Sequence, residues 1–238
     1  MILQKKQLRN LKQRSNGYLI TKDSKNSITQ FNAESFRQYC DELSRNDKEL
    51  KAIIAQYGYP PMWTRAATFQ TLILTILEQQ VSLAAAYAAF KKLKEKIGYV
   101  TPAKILQLRD EEMRACYFTR QKIVYARELA TAIQTKKISL KKLSLLPDEE
   151  VRTIMITLKG IGHWTIDVFL MHALQRTDLF PLGDIALVNS LKEIKQLPKD
   201  ISKEKMLAIA EPWRPYRTIA AMILWHAYII KRGIKLGV

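Results

Sequence analysis

The residues of this chain whose types and spacing could do chemistry lie in two places. The first is Ile156-Thr-Leu-Lys-Gly-Ile-Gly-His-Trp-Thr-Ile-Asp167, where an apolar helical stripe runs into two glycines one residue apart. A loop that short between helices needs backbone angles that side chains resist and glycine supplies. The amides around Gly160, Gly162 and His163 then point outward at the start of the next helix, and unsatisfied N–H groups there form a ready anion site. On a chain of net charge +17 the candidate anion is a DNA phosphate. The alternative is a helical hairpin that binds nothing. The second place is Asp184, 22 residues past Gly162, in the stretch Phe-Pro-Leu-Gly-Asp-Ile-Ala-Leu-Val-Asn-Ser-Leu. Asp184, Leu187, Val188 and Leu191 share one helical face, so this carboxylate heads an inward stripe. Asp is also a favoured N-cap. The two readings are compatible, because a carboxylate at a helix N-terminus is stabilised as the anion, as a reaction passing through a cationic centre requires.

The elements that must position these residues read as helices. Phe69, Leu72, Ile73, Ile76 and Leu77 follow the spacing of a buried stripe. The stretch from Ala84 to Ile97 is a strong helix former that ends at Gly98. Ile123, Ala126, Ala130 and Ile133 mark one apolar face. Pro147 sits at a first helical position with Asp148, Glu149 and Glu150 behind it, and Val151, Ile154, Met155 and Leu158 carry a stripe up to Gly160. Further helices are predicted from Trp164, from Asp184, from about Ser202, and from Pro215 to Lys231. About ten helices and little strand give an all-α fold. Residues 1–30 are polar and basic, with at most a short strand or hairpin over 17–31, and read as an extension tied loosely to a helical body over 31–238.

Composition bounds the partners. Lys and Arg total 39 against 22 Asp and Glu, an excess that points to a polyanion, nucleic acid ahead of an acidic membrane. A solvated basic surface is the plain alternative. The only cysteines, Cys40 and Cys116, are too few for a disulfide framework, a zinc site or an iron–sulfur cluster, and fit reduced thiols inside a cell. No signal-peptide core is evident, and the longest apolar stretch, Ile219–Ile230, is too short to span a bilayer.

Leu158-Lys-Gly-Ile-Gly-His-Trp-Thr165 resembles the hairpin of the helix-hairpin-helix DNA glycosylases (the HhH-GPD superfamily). With Trp164 in it, this hairpin is similar to the 3-methyladenine DNA glycosylase II branch, as are Ile76-Leu-Glu-Gln-Gln-Val-Ser82 and Glu211-Pro-Trp-Arg-Pro-Tyr-Arg217, while Pro181-Leu-Gly-Asp184 resembles the turn that carries the superfamily's catalytic Asp. The four run in the family's order across about residues 45–232. The resemblance implies a two-lobed helical fold with the active-site cleft between the lobes. It implies Asp184 as the catalytic carboxylate, Trp164 and Trp225 as walls of a base pocket, and Gly160, Gly162, His163, Thr165, Gln79 and Gln80 as DNA-binding residues, with Gln80 at the wedge that fills the gap left by an extruded nucleotide. Without it, Gln79 and Gln80 would cap or decorate a helix end, and both tryptophans would be core.

Bifunctional members carry a nucleophilic lysine two residues after the second hairpin glycine. Here that position is Trp164, and an indole forms no Schiff base. The resemblance therefore implies a monofunctional enzyme that excises alkylated purines such as 3-methyladenine and 7-methylguanine from duplex DNA. The alternatives are a glycosylase for deaminated or oxidised bases and a non-catalytic DNA-binding protein. No cofactor is required. Hairpins of the family often bind Na+ or K+ through carbonyls, by resemblance those of Ile156, Leu158 and Gly160. Lys159 stands where Pro is usual, His163 where Arg is, and Val168 where an aromatic can line the pocket. A monomer working inside the cell on damaged duplex DNA, away from membranes, completes the expectation.

Overall fold

Most of the helices start at a residue whose side chain bonds the first turn's amides. Asn32 Oδ1 accepts from the amides of Glu34 and Ser35 to open α1 (Ala33–Asn46), and Asp47 does the same for α2 (Lys48–Tyr57). Thr68 and Ser82 cap α3 (Phe69–Glu78) and α4 (Leu83–Ile97), and α4 stops at Gly98, whose φ is +67°. After α5 (Pro102–Gln107) and α6 (Asp110–Ala115), Thr119 caps α7 (Arg120–Gln134) and Ser139 caps α8 (Leu140–Leu143). Pro147 precedes α9 (Asp148–Met155) as its cap residue, one position earlier than the sequence pattern places it. Beyond the hairpin run α10 (His163–Val168), a wide π turn (Phe169–Ala173), α11 (Ile185–Ile194), α12 (Lys203–Ala210), a 3-10 turn (Glu211–Trp213) and α13 (Arg217–Lys231).

This computed structural model describes residues 28–234, and among them the fold is all-α. The helices form two groups. In one, the N-terminal α1 and α2 pack against the C-terminal α13, with α11 beside it. In the other, α4 and α7 pack on α3, and α5 and α6 lie on α7. The hairpin between α9 and α10 belongs to the second group, and the π turn after α10 touches α3 where the groups meet. The chain thus leaves the first group after α2 and returns to it only after the hairpin. No helix among the described residues is long and apolar enough to cross a membrane.

One expectation needs revising. The stripe on α3 predicts one buried face, but Thr71, Leu74, Thr75 and Glu78 are buried as well. This helix is packed by α4, α7 and the hairpin helix, and its buried Thr71, Thr75 and Glu78 find partners in the Ala66 carbonyl, the Thr71 carbonyl and Arg65. Of the expected extension, residues 1–27 lie outside the described residues, and the chain is fastened where the helical body begins. Gln30 bridges to Arg176, the Phe31 amide donates to the Gln175 carbonyl at 2.9 Å, and Phe31 is 1% exposed.

Trp213 holds the C-terminal end to the N-terminal helices. Its indole N–H donates to Asp47 Oδ2 at 2.8 Å, an oxygen that also takes Lys195 Nζ at 2.7 Å. Arg214 and Arg217 both pair with Asp178, which fixes the chain running toward Asp184. Both arginines sit in helix-packing roles.

Candidate active site

The hairpin is tight because one of its two glycines has no room. Gly160 sits at φ +86°, and a Cβ built there would lie 2.0 Å from Cγ of Tyr125, whose ring reaches across from α7. Gly162 is different. Its φ of −99° suits any residue, a Cβ there would meet nothing within 4 Å, and the residue is exposed. The first glycine is demanded by the protein, while the second leaves a bare backbone facing outward. His163, exposed beside it, opens α10.

From α10 the indole N–H of Trp164 donates to Asp184 Oδ2 at 3.1 Å, and from α13 that of Trp225 donates to Asp184 Oδ1 at the same distance. Oδ1 also accepts the Leu187 amide at 2.9 Å, so Asp184 caps α11. The capping and inward readings of this carboxylate both hold. Pro181 and Gly183 shape the approach: the Asp184 amide donates to the Pro181 carbonyl at 2.9 Å, and Gly183 faces Trp164, whose Cβ would stand 3.4 Å from an added methyl. Two elements distant in sequence and the helix that Asp184 caps converge on two oxygens, each in a charge-assisted bond that fixes its direction.

Behind Trp225 stands a residue the sequence did not single out. His172, in the π turn, stacks on Trp225 with ring centres 5.5 Å apart, and its Nδ1 meets the Trp63 carbonyl at 2.7 Å. A carbonyl only accepts, so Nδ1 carries the proton. Burial, helped by the nearby Arg65 charge, pushes His172 down to about 4, against the opposing pull of the Trp63 bond and Asp184. The ring is therefore neutral at physiological pH. In the apolar run Phe-Leu-Met-His-Ala-Leu a lone histidine reads as core. Only the wider pitch of the π turn, which sequence periodicity does not report, sets it against the tryptophan.

Two of the residues expected at the DNA surface face inward, and a third stands outside. Thr165 is buried, and its Oγ1 accepts from Gln79 Nε2 at 3.0 Å, so it supports the hairpin from inside. Gln79 points inward too, with Nε2 also donating to the Gly160 carbonyl at 2.9 Å. Gln80 is exposed at φ +58°, at the tip between α3 and α4. The inward turn follows from that angle. With Gln80 in the left-handed region the chain reverses at the tip, so consecutive glutamines diverge.

Two of the three carbonyls expected around a cation also accept hydrogen bonds within the protein. The Gly160 oxygen takes the Gln79 amide, and the Leu158 oxygen accepts the Ile161 N–H at 3.1 Å. Each of these oxygens keeps a second lone pair.

Lysines surround this framework. Lys91, Lys92, Lys94 and Lys96 on α4, Lys136, Lys137, Lys141 and Lys142, and Lys159 on the hairpin are all exposed. Lys91 pairs with Glu95 and Lys96 with Glu112, so part of this charge is balanced locally.

A family model described as "HhH-GPD superfamily base excision DNA repair protein" matches residues 73–215, which hold the tip, the hairpin and Asp184. DNA-3-methyladenine glycosylase 1 of Schizosaccharomyces pombe is 31% identical over 187 residues, covering 77% of this chain and 82% of that protein. YfjP of Bacillus subtilis is 30% identical over 186 residues, covering 75% of this chain, which spans 65% of that relative's length, just under two thirds. Among solved structures, the S. pombe 3-methyladenine DNA glycosylase in complex with abasic DNA superposes with a TM-score of 0.73 at 30% identity, over 79% of this chain and 95% of that one.

Proposed function

This chain belongs to the HhH-GPD superfamily of base excision DNA repair proteins, and from that membership we propose that it is a monofunctional DNA glycosylase hydrolysing the N-glycosidic bond of alkylated purines in duplex DNA. The observation that carries the reading is the grip on Asp184: two indole N–H groups and a helix amide aim a carboxylate beside two aromatic rings. The names of the relatives and the abasic-DNA complex of the yeast neighbour support the same activity.

The chemistry suits this arrangement. A purine methylated at N3 or N7 is already cationic. When the bond from C1′ breaks, its electron pair leaves with the base and neutralises that charge, so no acid need protonate the leaving group. Positive charge develops at C1′ of the sugar. A fixed carboxylate stabilises it electrostatically, in a site whose dipoles need no reorganisation. Water adds to C1′ and its proton passes to the carboxylate or to solvent, leaving an abasic sugar and a free base. The indole faces of Trp164 and Trp225 suit a cationic ring.

Reaching that bond requires extruding the nucleotide from the stack. The hairpin amides around Gly160, Gly162 and His163 would hold the backbone and exposed Gln80 would fill the gap. Trp164 occupies the place of a lysine nucleophile with its N–H committed to Asp184, so strand cleavage through a Schiff base has no nucleophile there. One hairpin and one Asp184 site suffice in a monomer, and its duplex substrate places it inside the cell.

The test is direct. The protein is incubated with methylated DNA, or with duplexes carrying hypoxanthine or 8-oxoguanine, and the free base is identified. Release of 3-methyladenine and 7-methylguanine is expected, with no adduct trapped by borohydride. Asp184→Asn retains a side chain able to cap Leu187 and should slow release by about 10²–10³-fold with DNA binding kept. Release at the parental rate would remove Asp184 from the chemistry, and release of 8-oxoguanine alone would redirect the specificity.

A further inference from the structure

The tip that carries Gln80 is held more firmly than an exposed reversal needs. Its three preceding residues are each fastened to a different part of the molecule. At Leu77 the carbonyl, at the open end of α3, accepts Lys122 Nζ from α7 at 2.7 Å, and that lysine is 8% exposed. At Glu78 the buried carboxylate accepts from both terminal guanidinium nitrogens of Arg65, at 2.8 and 2.6 Å. Arg65 in turn donates its backbone N–H to the His172 carbonyl at 2.8 Å, in the π turn that ends the hairpin helix. At Gln79 one amide nitrogen bonds both the Gly160 carbonyl and Thr165 Oγ1, at the start of that helix.

The tip is therefore joined to the hairpin helix at both ends, through Gln79 at its beginning and through Glu78 and Arg65 at its finish. An amide NH2 is suited to the first joint because it donates to two acceptors at once. Thr165 is buried, and the same nitrogen serves it and the Gly160 oxygen, so both lose their bond when the amide is removed. A bond from a side chain to a left-handed glycine's own carbonyl also fixes the orientation of the next peptide.

Resting on the glycosylase reading above, we propose that Gln79 is a positioning residue that sets the distance and angle between the wedge tip and the strand-gripping hairpin. Extrusion needs both at once: one element holds the backbone while the other occupies the vacated stack. A mount shifted by about 1 Å at this stage can cost on the order of 10²-fold in rate without any lost contact to the reacting atoms. Gln79 thus acts on base extrusion through Gly160 and Gln80, and touches neither DNA nor Asp184.

The experiment compares the full-length protein with Gln79→Leu, which keeps bulk and removes the amide, and with Thr165→Val, which removes one of its two acceptors. Three quantities are read: hydrogen–deuterium exchange of the 160–165 amides, DNA affinity at fixed salt, and single-turnover excision of 7-methylguanine paired with cytosine or placed opposite an abasic gap. Both variants should exchange faster at the hairpin, Gln79→Leu more so, while affinity stays within about threefold. Excision of the paired lesion by Gln79→Leu should fall about 10–100-fold. The unpaired lesion, which costs less to extrude, should recover most of that rate. Unchanged hairpin exchange in Gln79→Leu overturns the proposal, as does an equal loss on both duplexes together with weakened affinity, the pattern of a direct DNA contact. If the unaltered protein releases no base, the glycosylase reading fails, while the exchange measurement still decides whether Gln79 mounts the hairpin.

Discussion

At the hairpin the atoms proposed to grip DNA are main-chain amides, and the sequence supplies what lets a backbone come close: a glycine at φ +86° under Tyr125 and a second with open space before it. At Asp184 the atoms proposed to act are side-chain oxygens, held by Trp164, Trp225 and Leu187 from three separate elements. The hairpin is a local device supported from behind; the carboxylate site is a convergence that exists only when the helix groups have docked. Errors should propagate differently in the two. A change at the hairpin is felt first in stability or in grip, and a change around Asp184 first in rate.

The largest effect should come where the local device has no tolerance. Gly160→Ala places a methyl inside the Tyr125 ring and forces a left-handed angle on alanine. Overpacking and the backbone penalty together should cost roughly 2–5 kcal/mol, read by denaturant unfolding. Adding Tyr125→Ala should recover the clash but not the backbone share. If Gly160→Ala is as stable as the parent, the hairpin is not the tight element described.

The second effect belongs to the convergent site and is electrostatic. His172 is lowered to about 4 from an ordinary 6.5, so between those values the unfolded chain holds a proton that the folded chain refuses. Folding stability from this residue is therefore complete above pH 6.5 and declines as pH falls toward 4, by about 3 kcal/mol in all. His172→Gln should flatten the unfolding free energy against pH over that window relative to the parent. An unchanged slope would mean that His172 is not kept neutral behind Trp225.

The same contrast explains how much was legible in the sequence. Features written in adjacent residues could be read: Gly160 and Gly162, the Asp184 cap, the Gly98 stop and most helix starts. So could the exposed Gln80. What failed needed a partner from elsewhere. Thr165 and Gln79 stand next to residues of outward function, and only their mutual bond shows that they face inward. No pattern marked Arg65 against Glu78, since the two are 13 residues apart with an unhelical stretch between. The π turn defeated periodicity at His172, because one wide turn shifts every later residue on the helix face. The resemblance carried Trp164 and Trp225 to the site, where residue types alone would have left them in the core.

A smaller effect tests whether the convergence matters for rate. Trp225→Phe keeps a ring against His172 and removes the N–H given to Oδ1, which retains the Leu187 amide. Trp164→Phe removes the donor to Oδ2. Hydrogen bonds to charged groups are worth about 1.5–3 kcal/mol, so excision should fall about 10–100-fold. The Trp164 change should be the larger of the two, because Oδ1 keeps another donor. DNA affinity should hardly move in either. Equal loss of affinity and rate would make the tryptophans a binding wall and leave Asp184 oriented by its cap alone.

The smallest effect is the sharpest test of the comparison, because it separates two glycines one residue apart. Gly162 has an extended backbone that alanine adopts without strain, and an added methyl meets no atom of the protein. Gly162→Ala should leave folding stability within about 0.5 kcal/mol of the parent or raise it slightly by restricting the unfolded chain. The methyl would, however, stand where a phosphate must come close to the amides of the hairpin. Losing about one hydrogen bond there, on the order of 1 kcal/mol, should weaken duplex binding about 3- to 10-fold in anisotropy titrations at fixed salt. Because the amides carry no charge, the slope of affinity against salt should stay the same while the whole curve shifts. A protein unchanged in both stability and affinity would show that the bare backbone at Gly162 faces nothing, and the hairpin would then be a structural turn whose only required glycine is Gly160.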